Sequence, residues 1–504
     1  MAGLYIHIPF CTQKCIYCDF LSGTNLSLRG QFIDALIAEM DCYLDFFRED
    51  KIRTIYFGGG TPSLLSVEEL ARIYRAIAER WDVSEVEEFT IECNPDDLSE
   101  EYLTALNAQC TMYNAECKMH NAQLLTPSAS LVPLRQGDNN GGLPINRLSI
   151  GVQSFVDDEL KWLNRRHTAN EAFEAVQRAK RAGFKNITID LMFALPVQTI
   201  ESLNYSIDKA LELDVQHISA YSLMFEPDSK ITKLMEMNRL KPLDEDVAAD
   251  MFDLLSKRLS EAGYEQYEIS NYAKKGFESR HNSGYWHGMR YLGLGPSAHS
   301  FDGEKRWSNV AHTIKYNAQL LTPSASLVPL RQGDNNVVDQ IASGEQGEIN
   351  EVLGVRNEDL LTPTASLVPL RQGDNNVVDQ IASGEQGEIN EELGVRNEEL
   401  LTLSASLAQL KHGDNSWVNT IRTVEVLTED ERFNELVFTA LRTKVGVDLV
   451  DLRIRFGDVR CDRLLLQAQK YVNAGNMQII NNRLSLTHRG IYISDSIISD
   501  FMIV

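Results

Sequence analysis

The sequence predicts an α/β fold: a full or partial (β/α) barrel joined to a smaller, helix-rich C-terminal domain. Three observations carry this. Six short β-rich runs alternate with helical patterns at a spacing of roughly 30–40 residues, the rhythm of βα units around a parallel sheet. Polar residues collect at the ends of these runs, where such barrels place their chemistry. Residues 427–504 are helix-rich and carry one hairpin signal. An open doubly wound sheet is the alternative way to arrange the same units.

Taken in order, the β-rich runs are 3–8 (GLYIHI), 53–57 (RTIYF), 88–92 (EFTIE), 147–152 (RLSIGV), 186–191 (NITIDL) and 217–222 (HISAYS). Helical patterns cover 29–47, 66–80, 99–109, 169–182, 200–213 and 245–262. A hairpin is expected over 477–490 (MQIINNRLSLTHRG), turning at Asn481-Asn482. The segment 111–144 interrupts the barrel between a helix and the next strand. Such connections lie on the face opposite the site and tolerate extra length.

A repeat lies outside this scheme. Residues 121–140 recur unchanged at 317–336, and their core returns as LTPTASLVPLRQGDNN at 361–376 and LTLSASLAQLKHGDNS at 401–416. The later copies are spaced by 40 residues, but only two full units are present, fewer than a stacked solenoid needs. The expected domains are therefore a barrel over 1–316 with its insertion at 111–144, an acidic repeat insertion over 317–416, and a C-terminal domain over 417–504. The repeats are expected to lie off the active face and to be dispensable for folding.

Charge and composition exclude several classes. The chain of 504 residues has a formal net charge of −24, and residues 321–400 account for −11 of it, with 15 Asp/Glu against 4 Arg. A broad basic face for nucleic acid is therefore not expected. No apolar run approaches the ~18 residues of a membrane span. The N-terminus lacks the basic and small-residue signature of a secretory signal. A cytoplasmic location is expected, with contact to a membrane only through partners.

The most specific signal is Cys11-Thr-Gln-Lys-Cys15-Ile-Tyr-Cys18. Three thiolates at spacing x3 then x2 can wrap a loop around one side of an iron–sulfur cluster, leaving one iron for a ligand from outside the chain. Zinc is the alternative, but structural zinc prefers two pairs of ligands. The loop follows the first strand, at the end where barrel enzymes work. Gly58-Gly59-Gly60-Thr61 follows the second strand, Glu92 ends the third, Gln153 follows the fourth and Asp190 lies near the end of the fifth. Each of these alone could be a turn or a strand-end cap.

The cysteine pattern resembles the radical S-adenosylmethionine (SAM) superfamily, in which the open iron of a 4Fe-4S cluster binds SAM. More closely, LYIHIPFC, FGGGTPSLL, ECNPDDL, NRLSIGVQSF, IDLMFALPVQT and SRHNSGYW together resemble the HemW-type haem chaperone family of coproporphyrinogen III oxidase-like proteins. The resemblance covers about 1–110, 145–316 and 410–504. It implies a radical-SAM partial barrel. It implies that Cys11, Cys15 and Cys18 hold the 4Fe-4S cluster, and that Tyr5, Tyr17, Gly59, Gly60, Thr61, Glu92, Gln153, Arg165 and Asp190 contact SAM. Arg165 competes there with the adjacent Arg166.

The motif His281-Asn282-x-x-Tyr285-Trp286 implies haem binding, with the imidazole as a ligand for iron and the aromatic rings against the porphyrin. The residues alone fit a loop anchored by two aromatics equally well. The partners implied are haem and apo-haemoproteins of the respiratory chain, and a homodimer is compatible with them. The competing activity is oxygen-independent coproporphyrinogen III oxidation. That oxidase carries a fourth cysteine where this chain has Phe20, and an extension before the cluster loop. Radical-SAM modification of RNA is a third reading, disfavoured by the acidic balance.

Overall fold

A two-residue period runs through the barrel strands. A computed structural model describes residues 2–48, 50–109, 143–227, 229–321 and 422–503. Six strands form in chain order: β1 (Ala2–Ile8), β2 (Ile52–Gly59), β3 (Glu88–Cys93), β4 (Arg147–Gln153), β5 (Ile187–Phe193) and β6 (His217–Ser222). Neighbours pair in parallel throughout. One side of each strand is apolar and buried under helices, as with Phe89 and Ile91, Leu148 and Ile150, Ile187 and Ile189. From β3 to β6 the other side is polar.

The helices between these strands are α1 (Arg29–Asp41), α2 (Val67–Arg80), α3 (100–109), α4 (Asp157–Trp162), α5 (Ala169–Arg181), α6 (Ile200–Glu212), α7 (Lys230–Glu236) and α8 (Glu245–Glu261). Local sequence sets their starts. Ser66 with Glu69 and Thr168 with Glu171 close reciprocal capping boxes on α2 and α5, each cap contributing about 1 kcal/mol. Leu70, Ile73, Tyr74 and Ile77 then fall on one buried face of α2.

Beyond β6 come β7 (Glu265–Gln266), β8 (Asn271–Ala273), α9 (Arg280–Trp286), β9 (Arg290–Leu294), β10 (His299–Phe301), β11 (Lys305–Asn309), α10 (Thr313–Leu321) and β12 (Arg422–Val426). β9 lies parallel beside β1, while β8 runs antiparallel to β6. The sheet has the order β12-β11-β10-β9-β1-β2-β3-β4-β5-β6-β8-β7 and does not close. It is a partial barrel. Its six βα strands follow chain order without the reversal that defines a doubly wound sheet.

The helix expected over 29–47 stops at Asp41. From Cys42 the chain continues in tighter turns, with Cys42 N–H and Tyr43 N–H donating to the carbonyls of Glu39 and Met40. Tertiary packing wins over helical pattern there: Tyr43 and Phe46 turn onto Trp307, and Phe47 onto Trp81. The insertion at 111–144 lies outside the described residues up to 142, and so do the repeats from 322 on. Their first residues, 317–321, end α10.

The C-terminal part contains α11 (Glu429–Leu441), β13 (Val447–Asp448), α12 (Leu449–Asn473), β14 (Met477–Ile480), β15 (Arg483–Leu486), α13 (His488–Tyr492) and α14 (Ser494–Ser499). It has its own apolar core of Phe433, Val437, Leu441, Leu464, Leu484 and Phe501. The hairpin turns at Asn481 and Asn482, both left-handed, as a tight two-residue turn requires. It ends at Leu486 rather than 490, because Thr487 accepts a hydrogen bond from Gly490 N–H and starts α13. Among the described residues no helix is long and apolar enough to cross a membrane.

One buried carboxyl ties this framework together. Glu39, on α1, accepts hydrogen bonds from Gly295 N–H, Asn309 Nδ2 and the Tyr316 hydroxyl. Burial pushes it up to about 7, against the pull of these donors. A folded pKa above the unfolded one means that the native state holds the proton more tightly. The stability this contributes is complete at pH below about 4.5 and is lost as pH rises through about 7. Glu92 and Asp190 are raised in the same sense. Glu39→Gln should therefore flatten, without abolishing, the fall in Tm between about pH 6 and about pH 8. Thermal unfolding followed by circular dichroism across that range checks it.

Candidate functional site

The cysteine loop leaves β1 at Pro9 and is held at several points. Cys11 N–H donates to Gly23 O (3.0 Å), Ile16 N–H to Leu163 O (3.2 Å) and Asn164 Nδ2 to Lys14 O (2.8 Å). Ile16 and Tyr17 pack on a small apolar cluster of Leu163, Met192, Leu195, Leu223 and Ile231. Tyr17 thus anchors the loop to the far side of the barrel mouth. Phe20 is 59% exposed.

The cysteine sulfurs are met by donors from three other strand ends. The Thr61 hydroxyl donates to Cys11 Sγ (3.4 Å), and Arg165 Nη1 to Cys15 Sγ (3.3 Å). Asn94 closes the circuit, donating to Thr61 Oγ1 (3.4 Å) and accepting from Arg165 Nη2 (2.7 Å). Arg165 also donates to Gly151 O (2.7 Å). Of the adjacent arginines it is Arg165 that reaches the loop, while Arg166 pairs with Asp96 and Asp97. Asn94 was not among the residues picked from sequence, although its place between β3 and Pro95 is a strand-end position like the others.

The donor chemistry fits an iron–sulfur cluster. Soft thiols face a guanidinium and a hydroxyl, the kind of hydrogen bonding to sulfur that tunes such clusters. Thr12 Oγ1 and Arg165 Nε are buried without a hydrogen-bond partner beside the loop, as groups awaiting a ligand would be. Among the described residues no three Cys, His, Asp or Glu side chains are drawn together around a single metal ion. A mononuclear zinc site would need that convergence. Burial pushes the Cys18 thiol up to about 11, with Cys15 and Cys11 adding to the effect, so taking up iron would release a proton there.

The glycine turn does two jobs. Gly59 has φ +105°, a conformation that side chains resist, and its N–H donates to Glu92 Oε2 (3.0 Å). At Gly60 an added Cβ would lie 2.6 Å from Phe10 O and 2.8 Å from Ile8 O. Both are backbone atoms at the root of the cysteine loop, so the neighbour cannot yield cheaply. Gly60→Ala is predicted to displace that root, costing about 1–3 kcal/mol and lowering iron uptake. Iron content and Tm, measured on the same preparation, check this.

Gln153 ends β4 at a register shift with φ 68°, and Ala194 follows β5 with φ 61°. Non-glycine residues held there cost on the order of 1–3 kcal/mol and cluster where a ligand is bound. Both lie at the C-terminal ends of barrel strands.

Inside the barrel a polar cavity of about 40 Å³ is lined from β2 to β6 by Tyr56, Thr90 and Glu92, Arg147 and Ser149, Thr188 and Asp190, and His217, Ser219 and Tyr221. Parallel strands covered on both faces normally read as continuous apolar runs. The alternation here, legible in EFTIE, RLSIGV and NITIDL, was the available sign of a polar lumen. Glu92 accepts from the Tyr56 hydroxyl (2.7 Å) and is raised to about 7 by burial, with Asp190 adding to it. Asp190 is raised to about 6, also by burial. Thr90, Thr188 and His217 each keep a buried polar atom unpartnered. Tyr5 joins this interior, 6.0 Å from Tyr56 between ring centroids, with its hydroxyl on His7 Nδ1 (3.3 Å).

His281 lies deeper than a loop position suggests. It is 1% exposed, with Nδ1 hydrogen-bonded to Thr54 Oγ1 (2.8 Å) and Nε2 to the Tyr285 hydroxyl (2.7 Å). Its ring stacks on Tyr56 at 5.0 Å. Both nitrogens are engaged, so iron ligation by His281 requires Thr54 or Tyr285 to let go. Asn282 lines the lumen cavity. Trp286 turns outward, beneath the Arg442 guanidinium (5.6 Å), with its Nε1 buried and unpartnered. Glu88 holds the start of α9, accepting from Arg280 N–H (2.9 Å) and His281 N–H (3.0 Å).

Comparison with known proteins matches this arrangement. The Radical SAM superfamily family model matches residues 5–114 and 135–210, and that of the HemN C-terminal domain matches 427–493. The chain is 38% identical over 312 residues to the heme chaperone HemW of Lactococcus lactis, covering 62% of this chain and 73% of that protein. It is 36% identical over 361 residues to HemW of Bacillus subtilis, covering 71% and 83%. The solved structure of Escherichia coli coproporphyrinogen III oxidase (HemN), a radical SAM enzyme, aligns over 99% of this chain and 90% of that one. Its TM-score is 0.63 at 18% identity, which speaks for a shared fold alone.

Proposed function

We propose, for a chain that belongs to the HemW family of the radical SAM superfamily, that it is a haem chaperone: it binds haem and passes it to apo-haemoproteins of the respiratory chain, in the cytoplasm. The observation that carries this is the 36% identity to a heme chaperone across 83% of that protein's length. In this reading Cys11, Cys15 and Cys18 hold a 4Fe-4S cluster, and SAM lies against Gly59, Gly60, Thr61, Glu92, Gln153, Arg165 and Asp190. When bound, the cluster supplies an electron to SAM and one open iron to hold it.

The chain's own residues do the rest. Arg165 and Thr61 present donors to the cysteine sulfurs. Asn94 keeps those two donors in register. Gly59 and Gly60 let the second strand's turn approach the loop root, and Glu92 and Asp190 offer acceptors inside a chamber with little water. Tyr5 and Tyr17 hold the two sides of the loop, one from the lumen and one from the apolar cluster.

The competing reading is oxidative decarboxylation of coproporphyrinogen III. It draws on the shared fold, while Phe20 stands where the oxidase has a fourth cysteine. Anaerobic incubation with coproporphyrinogen III, SAM and a reductant, beside a haem titration, separates the two. The chaperone reading expects saturable haem binding and no decarboxylated product. Stoichiometric protoporphyrinogen IX would overturn it.

A further inference from the structure

We infer that haem is taken up outside the barrel, in the cleft between α8 and the C-terminal part, with His488 as the iron ligand. This rests on the reading of the chain as a haem carrier. Residues 1–321 and 418–504 form one compact unit, and within it this cleft has a volume of about 740 Å³. That falls in the range of about 300–1,000 Å³ typical of ligand sites. The lumen cavity, at about 40 Å³, is far too small for a porphyrin.

The lining suits a flat, apolar ring with two carboxylates at one edge. Tyr264, Tyr272, Leu486 and Ile491 supply apolar and aromatic surface. The acidic residues of the cleft are already engaged. Asp253 is bonded to His488, Glu265 lies 3.9 Å from Lys444, and Glu268 accepts from Ser270 N–H. Lys257 lines the cleft with no ion-pair partner among the described residues. Arg442 lines it too; it pairs outside with Asp495, and its Nε is buried without a hydrogen bond. Lys257 and Arg442 are the cations left for the two propionates.

His488 is built as a ligand more openly than His281. Its side chain is 48% exposed. One ring nitrogen, Nε2, is bonded to Asp253 Oδ1 (2.8 Å), and the ring stacks on Phe252 at 4.9 Å. A carboxylate on one nitrogen fixes an imidazole and strengthens the other as a donor to metal. The exposed ring can present either nitrogen by a turn about its Cβ–Cγ bond.

The His281 motif then acts from behind. Trp286 supports Arg442, whose guanidinium is sandwiched between it and Phe438 (4.7 Å). His281 and Tyr285 fix α9 to the barrel and so fix Trp286. His281 is thus a positioning residue for the cleft and His488 the ligand.

The test is a haem titration of the full chain, read as affinity and as the position of the Soret band, with Tm measured alongside. His488→Ala should shift the band and weaken binding about 10–100-fold. His281→Ala should weaken binding but leave the band where it is, because the axial ligand is unchanged. Lys257→Glu should weaken binding without moving the band. An unchanged band and affinity in His488→Ala would overturn the inference, and so would a band lost only in His281→Ala. If the unmutated chain takes up no haem, the carrier reading itself fails, a result distinct from either of these.

Discussion

Cys15→Ala should yield a colourless protein after anaerobic reconstitution, against a brown unmutated chain with about four irons. The substitution removes one of three thiolates and strands the Arg165 guanidinium that now faces Cys15 Sγ at 3.3 Å. Two thiolates at Cys11 and Cys18 leave two irons of a cuboidal cluster open, which a loop this exposed cannot protect. The fold should survive. The loop keeps its bonds from Ile16 N–H to Leu163 O and from Asn164 Nδ2 to Lys14 O, and neither passes through the cysteine side chain. Iron content, visible absorption and far-ultraviolet circular dichroism on one sample check this. A full complement of iron in the variant would show that the ligands are wrongly assigned.

Glu88→Ala should produce the largest loss of stability. Glu88 and Arg147 are paired at 3.9 Å with side chains only 4% and 3% exposed. Removing one member of a buried pair leaves an uncompensated charge and costs about 3–5 kcal/mol. The same carboxylate also receives Arg280 N–H, His281 N–H and the Ser279 hydroxyl. Its loss frees the start of α9 together with the pairing. Against a total stability of about 5–15 kcal/mol, this is a large fraction. Glu88→Gln, which keeps an acceptor for the backbone N–H groups, should lie between. Urea unfolding of the three proteins measures the order, and equal midpoints would refute the role given to the pair.

The barrel was readable from sequence because its strands and helices carry local signals. The capping boxes at Ser66 and Thr168 and the spacing of the β-rich runs needed no tertiary knowledge. Residues at the ends of parallel strands were also readable, since the topology gathers Cys11, Thr61 and Arg165 at one mouth whatever the details. Contacts made across the fold were not. Nothing local says that Asn94 bridges Thr61 to Arg165, or that Tyr43 and Phe46 leave the helical path to meet Trp307. His281 shows the limit most clearly. Its neighbours in sequence suggest a loop, whereas Glu88, Thr54 and Tyr56, more than 190 residues away in the chain, draw it into the interior.

The account's central claim is that the chain carries haem to a recipient. The most direct measurement loads the full chain with haem, mixes it with an apo-haemoprotein and follows both absorption spectra. The account predicts that the recipient's holo spectrum grows as the carrier's declines, and faster than from haem held by serum albumin. Haem that stays on the chain while coproporphyrinogen III is turned over to protoporphyrinogen IX would contradict it.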